Sequence, residues 1–171
     1  QIVGYEGMLF PNFDPDKHMK RHPGQLRILA AGVDWGYHNP WAVVVGGHDS
    51  DGRLWIVDEF AKSGITLDEF AAQCLRMKQR WGAYAFFCDG SEPANVHYLR
   101  KKGIPAWQMV RHGSDWWWKG VRFLDSLMGP RPDGAFGLYI APHCTALKNS
   151  LLSVHFQERR SEDLPKLDRP V

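Results

Sequence analysis

Two aspartates each stand directly after an apolar run of the chain. Asp34 ends the stretch "RILAAGVD", and Asp89 ends the stretch "AYAFFCD". Two carboxylates that are brought together repel each other unless a cation lies between them. Hard divalent cations prefer carboxylate oxygens, and Mg²⁺ typically uses one or two protein carboxylates together with water and phosphate oxygens. If the fold joins Asp34 and Asp89, the sequence predicts a divalent-metal site.

Such a site has a specific chemical use. Two metal ions that lie ~3.5–4 Å apart can activate water and stabilise the leaving oxygen in phosphodiester cleavage. The alternative is that both acids only cap helices or form turns, and Asp89 in "DGSEP" has the sequence of a cap. Ser91 in the same stretch is expected to cap the helix that follows.

A third acid could approach this pair from "IVDEF". Strict strand alternation places Trp55, Val57 and Glu59 on one face and Asp58 on the other. Glu59 is therefore a further candidate metal ligand, with Asp58 as its alternative. An exposed polar position on a strand is the competing interpretation for each.

The elements that must position these acids follow from hydrophobic periodicity and turn signals. Strands are predicted over 27–33, 41–47, 53–60, 83–89, 106–110 and 137–142. Helices are predicted over 66–81, 91–103, 114–128 and 145–156. "HDSDG" predicts the hairpin turn between the second and third strands. Thr66 and Glu69 have the spacing of a capping box at the start of the first helix.

This order predicts an α/β fold with one mixed sheet. An antiparallel three-strand meander followed by α/β crossovers gives helices on both faces. The first and fourth strands can then lie side by side at the centre of the sheet. Their carboxyl ends would carry Asp34 and Asp89 next to each other, at an edge where open α/β sheets tend to form sites.

Composition sets broad limits on the function. The chain has 171 residues, 44% of them hydrophobic, and a formal net charge of +2. That length suits one domain, and so mild a charge does not by itself indicate a polyanion partner. The odd, widely spaced Cys74, Cys88 and Cys144 fit reduced core thiols. No apolar run reaches the ~20 residues of a membrane span, and no signal peptide is visible, so no membrane partner is predicted.

Basic residues suggest where nucleic acid could bind. "RHGSDWWWKG" sets Arg111 and Lys119 beside three tryptophans, a combination that suits backbone contact or stacking. Arg100 and Lys101 form a second basic group. The competing interpretation is that these charges only solvate the surface and that Trp117 belongs to a helix core face.

Several motifs together resemble a known family. "GVDWGYHNPWAVVVGG", "RLWIVDEF" and "FFCDGSEPANVHYLRKKGIPA" are similar, in that order, to the C-terminal nuclease domain of the large terminase subunit of tailed bacteriophages. The resemblance continues through "HGSDWWWKGVRFLDSLM" and "GLYIAPHCTALKNSLLSVHF". It implies a ribonuclease-H-like fold and a two-metal endonuclease, using Mg²⁺ or Mn²⁺, that cuts concatemeric viral DNA during genome packaging.

The resemblance also implies a division of the chain and a set of partners. Residues 1–25 correspond to a lead-in arm from an ATPase domain, and 26–171 to the nuclease domain without its final helix. The first two family acids match Asp34 and Asp89, and the third is expected beyond Val171. The implied partners are double-stranded viral DNA, the ATPase motor of the same full-length chain, the small terminase subunit and the portal, in the host cytoplasm during virion assembly.

Two other functions stay open. Another ribonuclease-H-like nuclease, of resolvase or transposase type, would use the same acidic pair on a different DNA substrate. A non-catalytic packaging or docking module would bind no metal. The Walker A motif of an ATPase motor, G-x-x-x-x-G-K-[ST], does not occur in these 171 residues.

Overall fold

A computed structural model describes residues 7–36, 39–110, 113 and 115–154 of the chain. The strands are β1 (Arg27–Asp34), β2 (Trp41–His48), β3 (Leu54–Lys62), β4 (Ala85–Cys88), β5 (Ala106–Gln108) and β6 (Leu138–Ile140). The helices are α1 (Pro15–His18), α2 (Leu67–Trp81), α3 (Pro93–Lys101), α4 (Trp116–Met128) and α5 (Thr145–Ser153). Across these described ranges, no helix has the length and apolar character needed to cross a membrane.

The strands form one mixed sheet in the order β5-β4-β1-β2-β3-β6. β1, β2 and β3 make the antiparallel meander that the sequence predicts. β4 is parallel to β1, β5 to β4, and β6 to β3. The predicted fold class and the central pairing of the first and fourth strands are therefore confirmed.

One face of the sheet packs against α2 and α3. Val45 and Phe86 from the sheet and Phe70 and Leu99 from the helices are fully buried there. The predicted capping box of α2 is present, and Gly82 ends that helix in a left-handed conformation at φ 66°. Because α3 follows β4 directly, this packing ties the carboxyl end of β4 to the core.

The other face carries α4, α5 and the N-terminal segment over β3 and β6. Leu9, Phe10 and Phe13 are buried in this second core. α1 is a single turn that the sequence analysis did not predict. The Asp14 side chain accepts from the backbone N–H of Asp16, and Pro15 occupies the first helical position, so local chemistry is sufficient to form the turn.

A β-bulge corrects the predicted faces of β3. The β2–β3 register shifts between Val45 and Gly46, because Val45 pairs with Asp58 whereas Gly46 pairs with Ile56. The extra residue in β3 reverses the alternation beyond it, as bulges do. Glu59 therefore lies on the face opposite Trp55 and Val57, and the prediction that the three share a face is wrong.

All three cysteines are buried and free of disulfides. Burial raises the pKa of the Cys74 thiol to about 12, of Cys88 to about 11 and of Cys144 to about 12. These thiols stay protonated at neutral pH, as expected of reduced core thiols.

Candidate metal centre

The β1–β4 register brings Asp34 and Asp89 together. The parallel pairing runs from Ala30 with Ala85 to Val33 with Cys88, and the two aspartates are the next residues along each strand. The backbone N–H of Asp89 extends the ladder by donating to the Val33 carbonyl at 3.0 Å. Adjacent strands lie ~4.8 Å apart, so the two acids start from neighbouring points on one edge.

Both acids also belong to the same face of the sheet. Val33 and Cys88 point into the first core, so the residues after them, Asp34 and Asp89, are directed to the opposite face. Asp34 is exposed and Asp89 is half-buried. Solvent therefore reaches the Asp34 side chain, and it reaches the Asp89 side chain in part.

A glycine after each acid allows a close backbone approach. A Cβ on Gly36 would lie 2.1 Å from the Asn39 carbonyl oxygen, and one on Gly90 would lie 2.3 Å from the Met109 carbonyl oxygen. Both distances are far inside van der Waals contact, and in both cases the obstructing atom is backbone. The glycines are thus required by the two turns that follow the acids.

Asp89 is not the cap of α3. The N-cap position of α3 is Glu92, which makes no side-chain capping bond, and Pro93 is the first helical residue. The Ser91 hydroxyl donates instead to Oδ2 of Asp89 at 2.6 Å. The predicted capping role of Ser91 is therefore wrong, and its hydrogen bond goes to the candidate ligand.

Glu59 shares a face with the pair but lies two strands away. Its pairing partner Val44 stands beside Gly32 of β1, so about two strand spacings, or ~10 Å, separate Glu59 from the β1 backbone. Its carboxylate accepts the backbone N–H groups of Ala146 at 2.7 Å and Leu147 at 2.8 Å. Glu59 thus caps α5 across the fold, a contact between residues 87 and 88 positions apart that no local pattern shows.

Asp58 also has a structural contact. It accepts a hydrogen bond from the Trp81 indole at 2.7 Å and lies 3.6 Å from the Arg80 guanidinium. These contacts attach β3 to the end of α2. Of the acids proposed from the sequence, only Asp34 and Asp89 occupy adjacent strand ends.

The basic candidates are divided between the two ends of the sheet. α3 starts beside Asp89 and runs back along β4, so its nine residues carry Arg100 and Lys101 ~13 Å away. The Arg100 guanidinium donates to the Ala106 carbonyl at 2.7 Å, at the start of β5. Lys119 lies in the first turns of α4 and pairs with Asp115 at 3.0 Å. Arg111 lies outside the described residues.

The donor set fits a divalent cation only in part. Two neighbouring carboxylates match the small number of protein ligands that Mg²⁺ uses beside water and phosphate. Among the side chains that the structure describes, no group of three or more His, Cys, Asp or Glu residues could hold a metal ion. The pair therefore fits as an incomplete ligand set.

The sheet order, with helices on both faces, defines a ribonuclease-H-like fold. No protein-family model and no curated protein sequence matches the chain. Solved structures of phage large terminases do match it.

The large terminase of the thermophilic bacteriophage D6E matches with a TM-score of 0.73 and 17% identity over 89% of this chain. The g2p large terminase nuclease domain of bacteriophage SPP1, with bound Mn, matches with a TM-score of 0.65 and 23% identity, covering 81% of this chain and 75% of that one. The large terminase nuclease of thermophilic phage G20c, with bound magnesium, matches with a TM-score of 0.64 and 17% identity. That match covers 92% of this chain and 86% of the G20c chain. The chain spans 38% of the length of the D6E protein.

These matches show that the chain has the fold of large terminase nuclease domains. They confirm, at the level of the fold, the resemblance that the sequence motifs carry.

Proposed function

We propose that this chain is the metal-dependent endonuclease domain of a phage terminase large subunit, and that it cuts concatemeric viral DNA during genome packaging. The observation that carries the proposal is the pairing of Asp34 and Asp89 at adjacent parallel strand ends. The shared fold supports it, as do two similar domains whose structures contain Mn and magnesium.

In this proposal Asp34 and Asp89 hold the metal at the carboxyl ends of β1 and β4. Divalent cations there would activate water for attack on phosphorus and offset the charge on the leaving 3′ oxygen. The chain itself provides fixed carboxylates. Because both stand on hydrogen-bonded central strands, little reorganisation is needed when the cation arrives.

DNA would reach this edge by its phosphate backbone. Lys119 at the start of α4 and Arg111, which lies between β5 and α4 in the sequence, are our candidate phosphate contacts. α4 follows β5 along the chain, and the carboxyl end of β5 is the same end at which β4 leads to Asp89. Contacts of this kind position a duplex without reading its sequence.

The test is plasmid cleavage by the full-length protein with Mg²⁺ or Mn²⁺. Asp34→Asn and Asp89→Asn are each expected to abolish cutting, while binding of DNA persists. Asp16→Asn is the matched control, because Asp16 is exposed on α1, and α1 contacts the edge strand β6, three strands away from β1. If either of the two site variants cuts as well as the parent, the assignment of the pair is wrong.

Further measurements separate the related functions. Preference for four-way junctions over linear duplex would indicate a resolvase-type nuclease. Absence of Mn²⁺ binding in a calorimetric titration would indicate a non-catalytic packaging or docking module. An ATPase motor in the same full-length chain is part of the proposal, as is binding to the small terminase subunit and the portal. These two proteins are therefore expected to co-purify with the full-length chain during virion assembly.

A further inference from the structure

The turns that carry the two acids are joined by a hydrogen bond. Trp35 directly follows Asp34, and its indole N–H donates to the backbone carbonyl of Asp89 at 2.8 Å. The indole is half-buried and lies edge-on to Trp41 and to Phe70, each with ring centroids 5.9 Å apart. Because packing fixes the ring, this bond sets the position of Asp89 relative to the turn after Asp34.

The carboxylate of Asp89 is held separately. The Ser91 hydroxyl donates to Oδ2 at 2.6 Å, which is within the short range of O–H···O⁻ bonds to an ionised acceptor. Ser91 does not cap α3, which begins at Pro93 after a Glu92 N-cap. The Ser91 hydroxyl therefore orients the Asp89 carboxylate and does not cap α3.

The intervening backbone is anchored on its other side. The Gln108 amide donates to the Gly90 carbonyl at 3.1 Å, and the Met109 N–H donates to the Cys88 carbonyl at 2.9 Å. β5 thus supports the turn after Asp89 from one side while Trp35 supports it from the other. Partners of metal ligands commonly act in this way, by fixing the orientation of the ligand.

We infer that Trp35 and Ser91 are positioning residues for the metal centre, a pair that we call the Asp89 brace. Trp35 fixes the backbone of Asp89 against the Asp34 turn, and Ser91 fixes the direction of the carboxylate. The inference rests on the proposed function, because it assumes that Asp34 and Asp89 bind a divalent cation together. In this role both residues act through Asp89, to which each donates a hydrogen bond.

Calorimetric titration of the full chain with Mn²⁺ tests the brace. Ser91→Ala is expected to weaken Mn²⁺ binding about tenfold or more, as losses of such partners do. Ser91→Thr keeps the hydroxyl and is expected to restore most of the affinity. Trp35→Phe keeps a packed ring but loses the N–H, and is also expected to weaken binding about tenfold.

A second measurement separates positioning from folding. Ser91 is exposed, so Ser91→Ala should leave the metal-free melting temperature within about 2 °C of the parent. The matched control is Ser126→Ala, which removes an exposed hydroxyl that donates to the Phe123 carbonyl at 2.7 Å. That variant should bind Mn²⁺ as the parent does.

Each outcome decides between the two proposals. If Asp89→Asn abolishes Mn²⁺ binding and Ser91→Ala leaves it unchanged, the brace is refuted and the proposed function stands. A drop in metal-free melting temperature for Ser91→Ala with no change in affinity also refutes the brace, because the role is then structural. If the parent binds no Mn²⁺, both proposals fall.

Discussion

Replacing Glu59 with alanine would remove the acceptor that the first turn of α5 uses. Two backbone N–H groups, of Ala146 and Leu147, donate to this carboxylate at 2.7 and 2.8 Å. Loss of a helix cap costs about 0.5–2 kcal/mol. Loss of a negative charge at a partly buried helix N-terminus costs about 0.3–2 kcal/mol more. The free energy of unfolding is therefore expected to fall by about 2–3 kcal/mol in Glu59→Ala.

Denaturant and thermal unfolding measure this change. For a domain of this size, each kcal/mol moves the melting temperature by roughly 2–4 °C, so the expected drop is roughly 4–12 °C. Glu59→Gln keeps one acceptor oxygen without the charge and should lose about half as much free energy. The matched control is Glu92→Ala, since Glu92 precedes α3 without a side-chain capping bond. That variant should change stability by less than about 0.5 kcal/mol.

The same variants decide between the two roles considered for Glu59. If Glu59 caps α5, its variants should be less stable and should bind Mn²⁺ with unchanged affinity. If Glu59 is a metal ligand, its variants should lose Mn²⁺ affinity with little change in metal-free stability. Equal unfolding free energies for Glu59→Ala and Glu92→Ala would refute the capping argument, whatever the metal titration gives.

Three further predictions test other parts of the structure. Gly90→Ala places a Cβ 2.3 Å from the Met109 carbonyl oxygen and should cost about 1–3 kcal/mol in unfolding experiments, whereas Gly120→Ala, with no atom within 4 Å, should be neutral or stabilising. Although burial opposes its ionisation, the Trp55 indole and the backbone N–H groups of the hairpin hold the pKa of Asp49 below its usual value. The ionised Asp49 carboxylate therefore contributes to the free energy of unfolding above about pH 4, and this contribution is lost as the pH falls through the folded-state pKa. The difference in stability between the parent and Asp49→Asn should shrink in acid, and a constant difference would contradict this reasoning. Lys119→Ala should weaken DNA binding and lower the salt slope by about 1, while Lys101→Ala, at the far end of α3, should change neither.

Much of the sheet follows from local signals in the sequence. Continuous apolar runs that end on Asp34 and Asp89 predict central strands, and the capping box at Thr66 predicts the start of α2. The chain connectivity then allows the first and fourth strands to be neighbours, because short crossovers from a meander leave few other orders. The pairing of the two acids was therefore predictable before any coordinates.

Other parts of the site depend on contacts that local patterns do not contain. The bulge in β3 moves Glu59 to the other face, and strict period-2 alternation cannot detect an inserted residue. Its carboxylate then caps a helix far along the chain, at Ala146 and Leu147. Ser91 has the residue type and position of a cap, yet tertiary geometry directs its hydroxyl to Asp89. The role of Trp35 had one signal in the sequence, which is that this residue directly follows Asp34.

The three buried cysteines allow the local unfolding of each hydrophobic core to be measured by the rate of thiol labelling. Cys74, Cys88 and Cys144 are all buried, and their raised pKa values leave almost no thiolate at neutral pH. A thiol reagent can then react quickly only with molecules in which a core has opened. Cys74 and Cys88 belong to one core and Cys144 to the other. The labelling rate at each sulfur thus measures how often its own layer opens, and equal rates would mean that the two layers open together.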